Sequence, residues 1–173
     1  MKTTLLIAGT ATLLFAGLMA AEGQGIGLYR SGEYSVDLFA SGSIGQQTIN
    51  SLSGSRIRHD LRLGVGAGVS YYLTRNVGIE AEAYSENPRG SIVDDTSVNL
   101  LLRFPLGKTG LAPYGIAGVG RQIDPSHYWH GQLGAGLEYR LRANLGIFFD
   151  GRYVMGDGGR NYGLGRGGLR FTF

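Results

Sequence analysis

"GVGAGVSYYLTRNVGIEAEAY" (residues 64–84) is the stretch on which the fold turns. Just before and within it, Leu61, Leu63, Val65, Ala67, Val69, Tyr71 and Leu73 fall on one face of an extended run. Asp60, Arg62, Gly64, Gly66, Gly68, Ser70 and Tyr72 fall on the other. Thr74, Arg75 and Asn76 break the run, after which Val77, Ile79, Ala81 and Ala83 alternate with Glu80, Glu82 and Tyr84. Period two on both sides of a tight polar turn specifies an antiparallel hairpin. Residues 132–153, "QLGAGLEYRLRANLGIFFDGRY", repeat the unit. Tyr139 stands for Tyr71, Leu141 for Leu73, Asn144 for Asn76, Gly146-Ile147 for Gly78-Ile79 and Asp150 for Glu82. A hairpin used twice in one chain belongs to a meandering sheet.

Working outward, the same alternation marks eight strands, at residues 34–41, 58–73, 77–85, 92–104, 111–121, 128–141, 145–155 and 162–173. The fifth, "LAPYGIAGVGR", fits either phase, with Pro113 near its start, where a missing N–H matters least. Glycine supplies 31 of 173 residues, well above the ordinary share of about 7% and denser than a helix tolerates. The connections differ by end. Residues 74–76 and 142–144 are tight turns, whereas 41–56 ("SGSIGQQTINSLSGSR"), 86–91, 122–127 and 156–161 are larger, polar and fall together at the other end. The expectation is an all-β chain folded as an eight-stranded antiparallel up-and-down β-barrel over residues 34–173.

The first stretch, "MKTTLLIAGTATLLFAGLMAAEGQ", has a short positive start at Lys2, a mostly apolar run from Leu5 to Leu18 and small residues at Ala20-Ala21. That order reads as a cleaved signal peptide over residues 1–21, with 22–33 a short N-terminal segment. No basic stop-transfer cluster follows, which argues against a membrane anchor. The chain has no cysteine, so it carries neither a disulfide framework nor a thiolate metal site. Its net charge of +3 is too mild and too scattered for nucleic-acid binding.

An eight-stranded barrel can turn either face outward: apolar inside around a ligand, or apolar outside against lipid. The polar face carries Asp37, Asp60, Glu80, Glu82, Glu138 and Asp150 together with Arg62, Arg103, Arg140, Arg152, Arg166 and Arg170. Such a balanced set can pair across a narrow interior, although a solvated sheet face also mixes signs. Gly64, Gly66, Gly68, Gly134 and Gly136 share that face. In a barrel with room only for its own side chains, glycines there leave space for arginine and tyrosine stems; a solvated face gains nothing from them. On the apolar face Tyr71, Phe104, Tyr139, Phe171 and Phe173 fall near the short-turn end and Trp129 near the loop end, like two interfacial girdles around an apolar band. The apolar face is expected to meet lipid, making the barrel a transmembrane one.

With these features the chain resembles the small outer-membrane β-barrels of the OmpA/OmpX type. The likeness covers essentially all of the chain beyond the leader and rests on "TRNVGIEAEAY", "APYGIAGVG", "QLGAGLEYRL", "NLGIFFDGRYV" and the terminal "GGLRFTF". It implies residence in the outer membrane of a Gram-negative-type envelope, with contacts to outer-membrane lipid and lipopolysaccharide. It also implies recognition by the barrel-insertion machinery through Leu169, Phe171 and Phe173, the family's assembly signal. Nothing follows Phe173, so the peptidoglycan-binding domain of some relatives and a tether to the cell wall are not expected.

Candidate chemistry is thin. In "DPSHYWHG", Asp124, His127 and His130 could hold a metal, but His-x2-His lacks a firm third ligand, and Ser126 with His127 lacks a convergent acid. The lipid A deacylases resemble this barrel class, yet their His-x-Ser-Asn pattern is absent; here His130-Gly131-Gln132 stands instead. The expected state of this segment is a polar loop at the membrane boundary. Asp94 and Asp95, which alternation sends to opposite faces, are expected on a solvated rim, and "GDGGRNYG" (156–163) as a loop without a phosphate-binding context. The expected role is therefore non-enzymatic, without metal or cofactor, with structural or surface-interaction work done by the loops. The alternatives are an outer-leaflet lipid-modifying enzyme and a narrow channel.

Overall fold

In the computed structural model, which describes residues 28–51, 54–86, 92–124 and 126–173 and the side chains of all of these except 46–51 and 54–60, every strand pairs with its successor. The strands are β1 (Glu33–Ser51), β2 (Gly54–Tyr72), β3 (Val77–Ser85), β4 (Asp95–Arg103), β5 (Leu111–Gln122), β6 (Tyr128–Arg142), β7 (Leu145–Gly156) and β8 (Arg160–Thr172). All eight are antiparallel to their neighbours, and β8 returns to pair with β1, closing the barrel. Closure removes the exposed edge that an open sheet must protect. It runs to the last residue: Phe173 N–H donates to Tyr34 O at 2.8 Å. The proposed leader, residues 1–21, lies outside the described residues.

The alternation seen in the sequence becomes two surfaces. Outward lie Leu63, Val65, Val119, Leu133 and Phe149, each more than 60% exposed. Inward lie Arg103 and Arg170, with no exposure at all. An apolar wall of this extent is far beyond what a soluble surface carries and matches the band of a membrane barrel. Glycines set how closely the inward residues pack. Phe39 stands opposite Gly66 on β2 and Gly168 on β8. A Cβ on Gly66 would come within 2.5 Å of the Phe39 ring, and one on Gly168 within 2.7 Å of Phe39 Cβ. Tyr114 has the same relation to Gly136, where a Cβ would lie 2.5 Å from Cζ.

Three expectations change. Residues 41–56 are not a loop: β1 and β2 stay in unbroken register from Glu33↔Tyr72 to Ser51↔Gly54. Their last pairs, Gln46↔His59 onward, have no third strand, so they form a two-stranded ribbon extending about 20 Å at ~3.4 Å per residue. Ser, Thr, Gln and Ile tolerate extension, no proline interrupts the ladder, and pairing satisfies backbone groups as well as water does. Second, β4 begins at Asp95 rather than residue 92, because the chain bends into the strand and Asp94 N–H donates to Tyr84 O at 3.0 Å. Third, β5 adopts one phase, with Ala112, Tyr114 and Ile116 inward and Ala117, Val119 and Arg121 outward. Pro113, its third residue, accepts from Phe104 N–H at 2.8 Å.

Candidate functional site

Inward side chains at alternate strand positions meet in a column that fills the barrel. At the short-turn end Glu33 takes Arg103 Nη1 and Arg140 Nη2 on one oxygen, each at 2.6 Å. Tyr29, in the segment before β1, lies beneath them. Its hydroxyl donates to Gly110 O at 2.6 Å, and both guanidiniums lie over its ring, at 4.5 and 4.9 Å. Burial pushes the Tyr29 hydroxyl well above the usual phenol range. Arg140 Nε also pairs with Glu138, whose other oxygen receives Arg170 Nη1 at 2.7 Å.

At mid-height Arg170 forks onto Asp37, Nε to Oδ1 at 2.8 Å and Nη2 to Oδ2 at 2.6 Å. That planar two-point geometry is the strong form of the pair. Above it Arg166 forks onto Asp150 at 3.0 and 2.7 Å and also pairs with Glu82. Arg152 meets Glu82 at 2.5 Å, Asp150 at 3.0 Å and Glu80 at 3.3 Å. Polar neutrals complete the set: Ser97 donates to Glu82 at 2.7 Å, Asn99 to Glu80 at 3.2 Å and Tyr114 to Asp150 at 3.0 Å. Aromatic faces cover the cations, with Arg103 3.6 Å from the Tyr72 centroid and Arg166 4.6 Å from that of Phe39.

At the loop end the column finishes in a separate pair, His130 Nε2 to Asp95 Oδ2 at 2.8 Å, with both side chains buried. Beside it Asp94 accepts from Glu86 N–H at 2.6 Å, and Ser43 donates to Glu86 at 2.6 Å. Burial raises the Glu86 carboxyl above the usual carboxylate range, against the lowering effect of the Ser43 bond.

Of the twelve charges expected inside, the structure brings ten together: Asp37, Glu80, Glu82, Arg103, Glu138, Arg140, Asp150, Arg152, Arg166 and Arg170. Arg62 is not among them. It is exposed, because β2 outruns β3, whose last pair is Val65↔Ser85, so the inward face is no longer enclosed at that height. The side chain of Asp60 lies outside the described residues. Asp94 and Asp95 are not on a solvated rim: both are buried, Asp95 completely, since the bend before β4 turns Asp94 back onto the end of β3. His130 lies inward on β6, as the alternation of residues 128–141 places it, and not in a boundary loop. His127 is exposed in the loop, and among the described residues no three His, Asp or Glu side chains gather at metal-binding spacing. Sequence reasoning missed Tyr29 and Glu33. Glu33 continues the alternation of Ser35 and Asp37 by one step and was legible; Tyr29 lies in no strand and carried no signal.

On the outer wall Tyr71, half-buried, stacks on Tyr34 at 4.6 Å between centroids. Tyr71, Phe104 and Tyr139 lie at the short-turn end and Trp129 at the loop end. Leu169, Phe171 and Phe173 share the outward stripe of the closing strand.

A family model, the outer membrane protein beta-barrel domain, matches residues 8–170. The chain belongs to this family. Among solved structures it is similar to the N-terminal β-barrel domain of OprF from Pseudomonas aeruginosa, at 19% identity and a TM-score of 0.60, covering 83% of this chain and 99% of that one. It is similar to Neisserial surface protein A at 14% identity and 0.60, covering 83% and 100%. It is also similar to Ail, the attachment invasion locus protein of Yersinia pestis, at 16% and 0.53, covering 83% and 99%. At these identities the likeness shows the fold alone. Comparison with curated protein sequences found no match. The chain is thus an eight-stranded barrel of an outer-membrane family, with the apolar wall outside and the ion-pair column within.

Proposed function

We propose that this barrel is a non-enzymatic component of a Gram-negative outer membrane, exported by a cleaved leader and working through the surfaces it displays at its loop end. The observation that carries this reading is the column itself. Six carboxylates and five arginines, all buried, engage one another from the short-turn end to β7 and β8, and an eight-stranded interior has room for little else. What remains for a partner is the outer end, where the β1–β2 ribbon rises beyond its neighbours. An outer-leaflet enzyme is disfavoured by the one acid–histidine pair described. Asp95 and His130 are buried, and Nδ1 of His130 has no partner among the described residues, whereas hydrolysis needs a nucleophile in hydrogen-bond reach of the base.

Two measurements test this. Because the chain has no cysteine, Asp157→Cys and Lys108→Cys report topology: an impermeant maleimide on intact cells should label the first and spare the second. The reverse labelling would overturn the assignment of the loop end to the cell exterior. Mass spectrometry of outer-membrane lipid from cells expressing wild type or His130→Ala should show identical acylation. A difference dependent on His130 would establish the enzyme instead.

A further inference from the structure

Among the described residues the outward stripes of the eight strands carry almost no charge. At the loop end Arg121 is the one charged side chain among the described residues that points from a strand to the lipid side; Arg142, opposite outward Leu145 past the bulge in β6, lies at the short-turn end. Arg121 sits at the loop end of β5, opposite Thr96 on β4 and Trp129 on β6. Its guanidinium lies 5.7 Å from the Trp129 ring centroid, and it makes no ion pair with any described carboxylate. Below and beside it runs an open groove of about 620 Å³ on the outer wall, with Ala67, Ala81 and Ala83 among its lining residues and Thr96, Arg121 and Trp129 at its polar end. The groove thus has an apolar trough of small side chains and a cationic, aromatic head.

An arginine facing lipid is costly at mid-bilayer and nearly free at the interface, so its row marks headgroup height. There it calls for an anion, and no described carboxylate supplies one. Tryptophan prefers that same depth and holds the guanidinium by its ring face. Taking as given that the protein sits in a membrane, we infer that Arg121, Trp129 and the alanine-lined groove form a binding site for an anionic lipid, its phosphate on Arg121 and one acyl chain along Ala81 and Ala83. Arg62 and Arg160 do not compete, because both follow the inward alternation of their strands at the mouth.

Trp129 is the chain's single tryptophan and reports on its own site. The protein is refolded into phosphatidylcholine vesicles containing brominated phosphatidylglycerol or, in parallel, brominated phosphatidylcholine, and quenching of its emission gives relative lipid affinities. Wild type should favour the anionic lipid about fivefold, the scale of one basic residue at an anionic surface. Arg121→Gln should bring the ratio to about one, while Arg121→Lys keeps part of it. Arg160→Gln should leave the ratio unchanged, and Ala83→Leu, which fills the trough, should weaken quenching by both lipids. A wild-type ratio of one, an unchanged ratio in Arg121→Gln, an equal loss in Arg160→Gln or full quenching in Ala83→Leu would overturn the site. Failure to insert at all, seen as loss of the heat-dependent gel shift, would instead contradict the membrane reading on which it rests.

Discussion

Arg152 touches Glu82, Asp150 and Glu80 and is sealed from solvent. Removing it takes one guanidinium from three buried carboxylates, leaving Glu82 and Asp150 to Arg166 alone, and breaking a buried pair from one side costs about 3–5 kcal/mol. Arg152→Ala should therefore lower the urea unfolding free energy in vesicles by that amount, while Arg62→Ala, exposed at the mouth, stays within about 0.5 kcal/mol of wild type. An equal effect from both would mean that the column does not hold the fold. Gly66→Ala should cost about 1–3 kcal/mol by overpacking, since its Cβ meets the Phe39 ring at 2.5 Å; far-ultraviolet melting in detergent reads this directly. At this scale alternation made most of the column legible, because parity alone separates inward from outward. It failed where parity stops applying. Asp94 lies in a bend rather than a strand, Tyr29 precedes the first strand, and Arg62 has the right parity on a strand that has left the barrel.

Strand boundaries were legible to within two residues wherever a strand has two neighbours, the start of β4 apart, since both sides then demand the apolar–polar alternation. The β1–β2 ribbon has one neighbour per strand, so no second neighbour imposes an alternation, and its mixed Gln, Thr, Ile, Asn, Ser and Arg residues read as a polar loop until pairing reveals the strands. Being outside the closed sheet, it should be dispensable to folding. Replacing residues 47–58 by Asn-Gly, a two-residue hairpin turn, should leave the heat-dependent gel mobility shift of the barrel intact; its loss would mean that the ribbon nucleates closure. The closing strand poses the opposite test. Phe173 is 74% exposed on the outer wall, and its backbone bonds to Tyr34 do not depend on the ring. Phe173→Ala should reduce membrane-inserted protein in cells yet refold from urea into detergent as wild type does. Normal insertion in cells would remove the assembly role of Phe173, and failure in both assays would make it a stability residue.

Taken whole, the molecule is a sheet closed on a column of ion pairs, with its hydrophobic surface turned outward. Burying charge is a poor way to gain stability. Here it gives the strands a register that apolar contacts alone would leave loose, because Asp37 meets Arg170 and Asp150 meets Arg166 only when β1, β7 and β8 align as they do. The same column should block ion flow, since a permeating ion must displace arginines held by two carboxylates or more. Planar-bilayer recording of the purified, refolded protein tests this most directly. Wild type should give no stable steps above baseline, and Arg152→Ala, which opens the upper column, should conduct more than wild type. Large, stable single-channel steps from wild-type protein would contradict a packed interior.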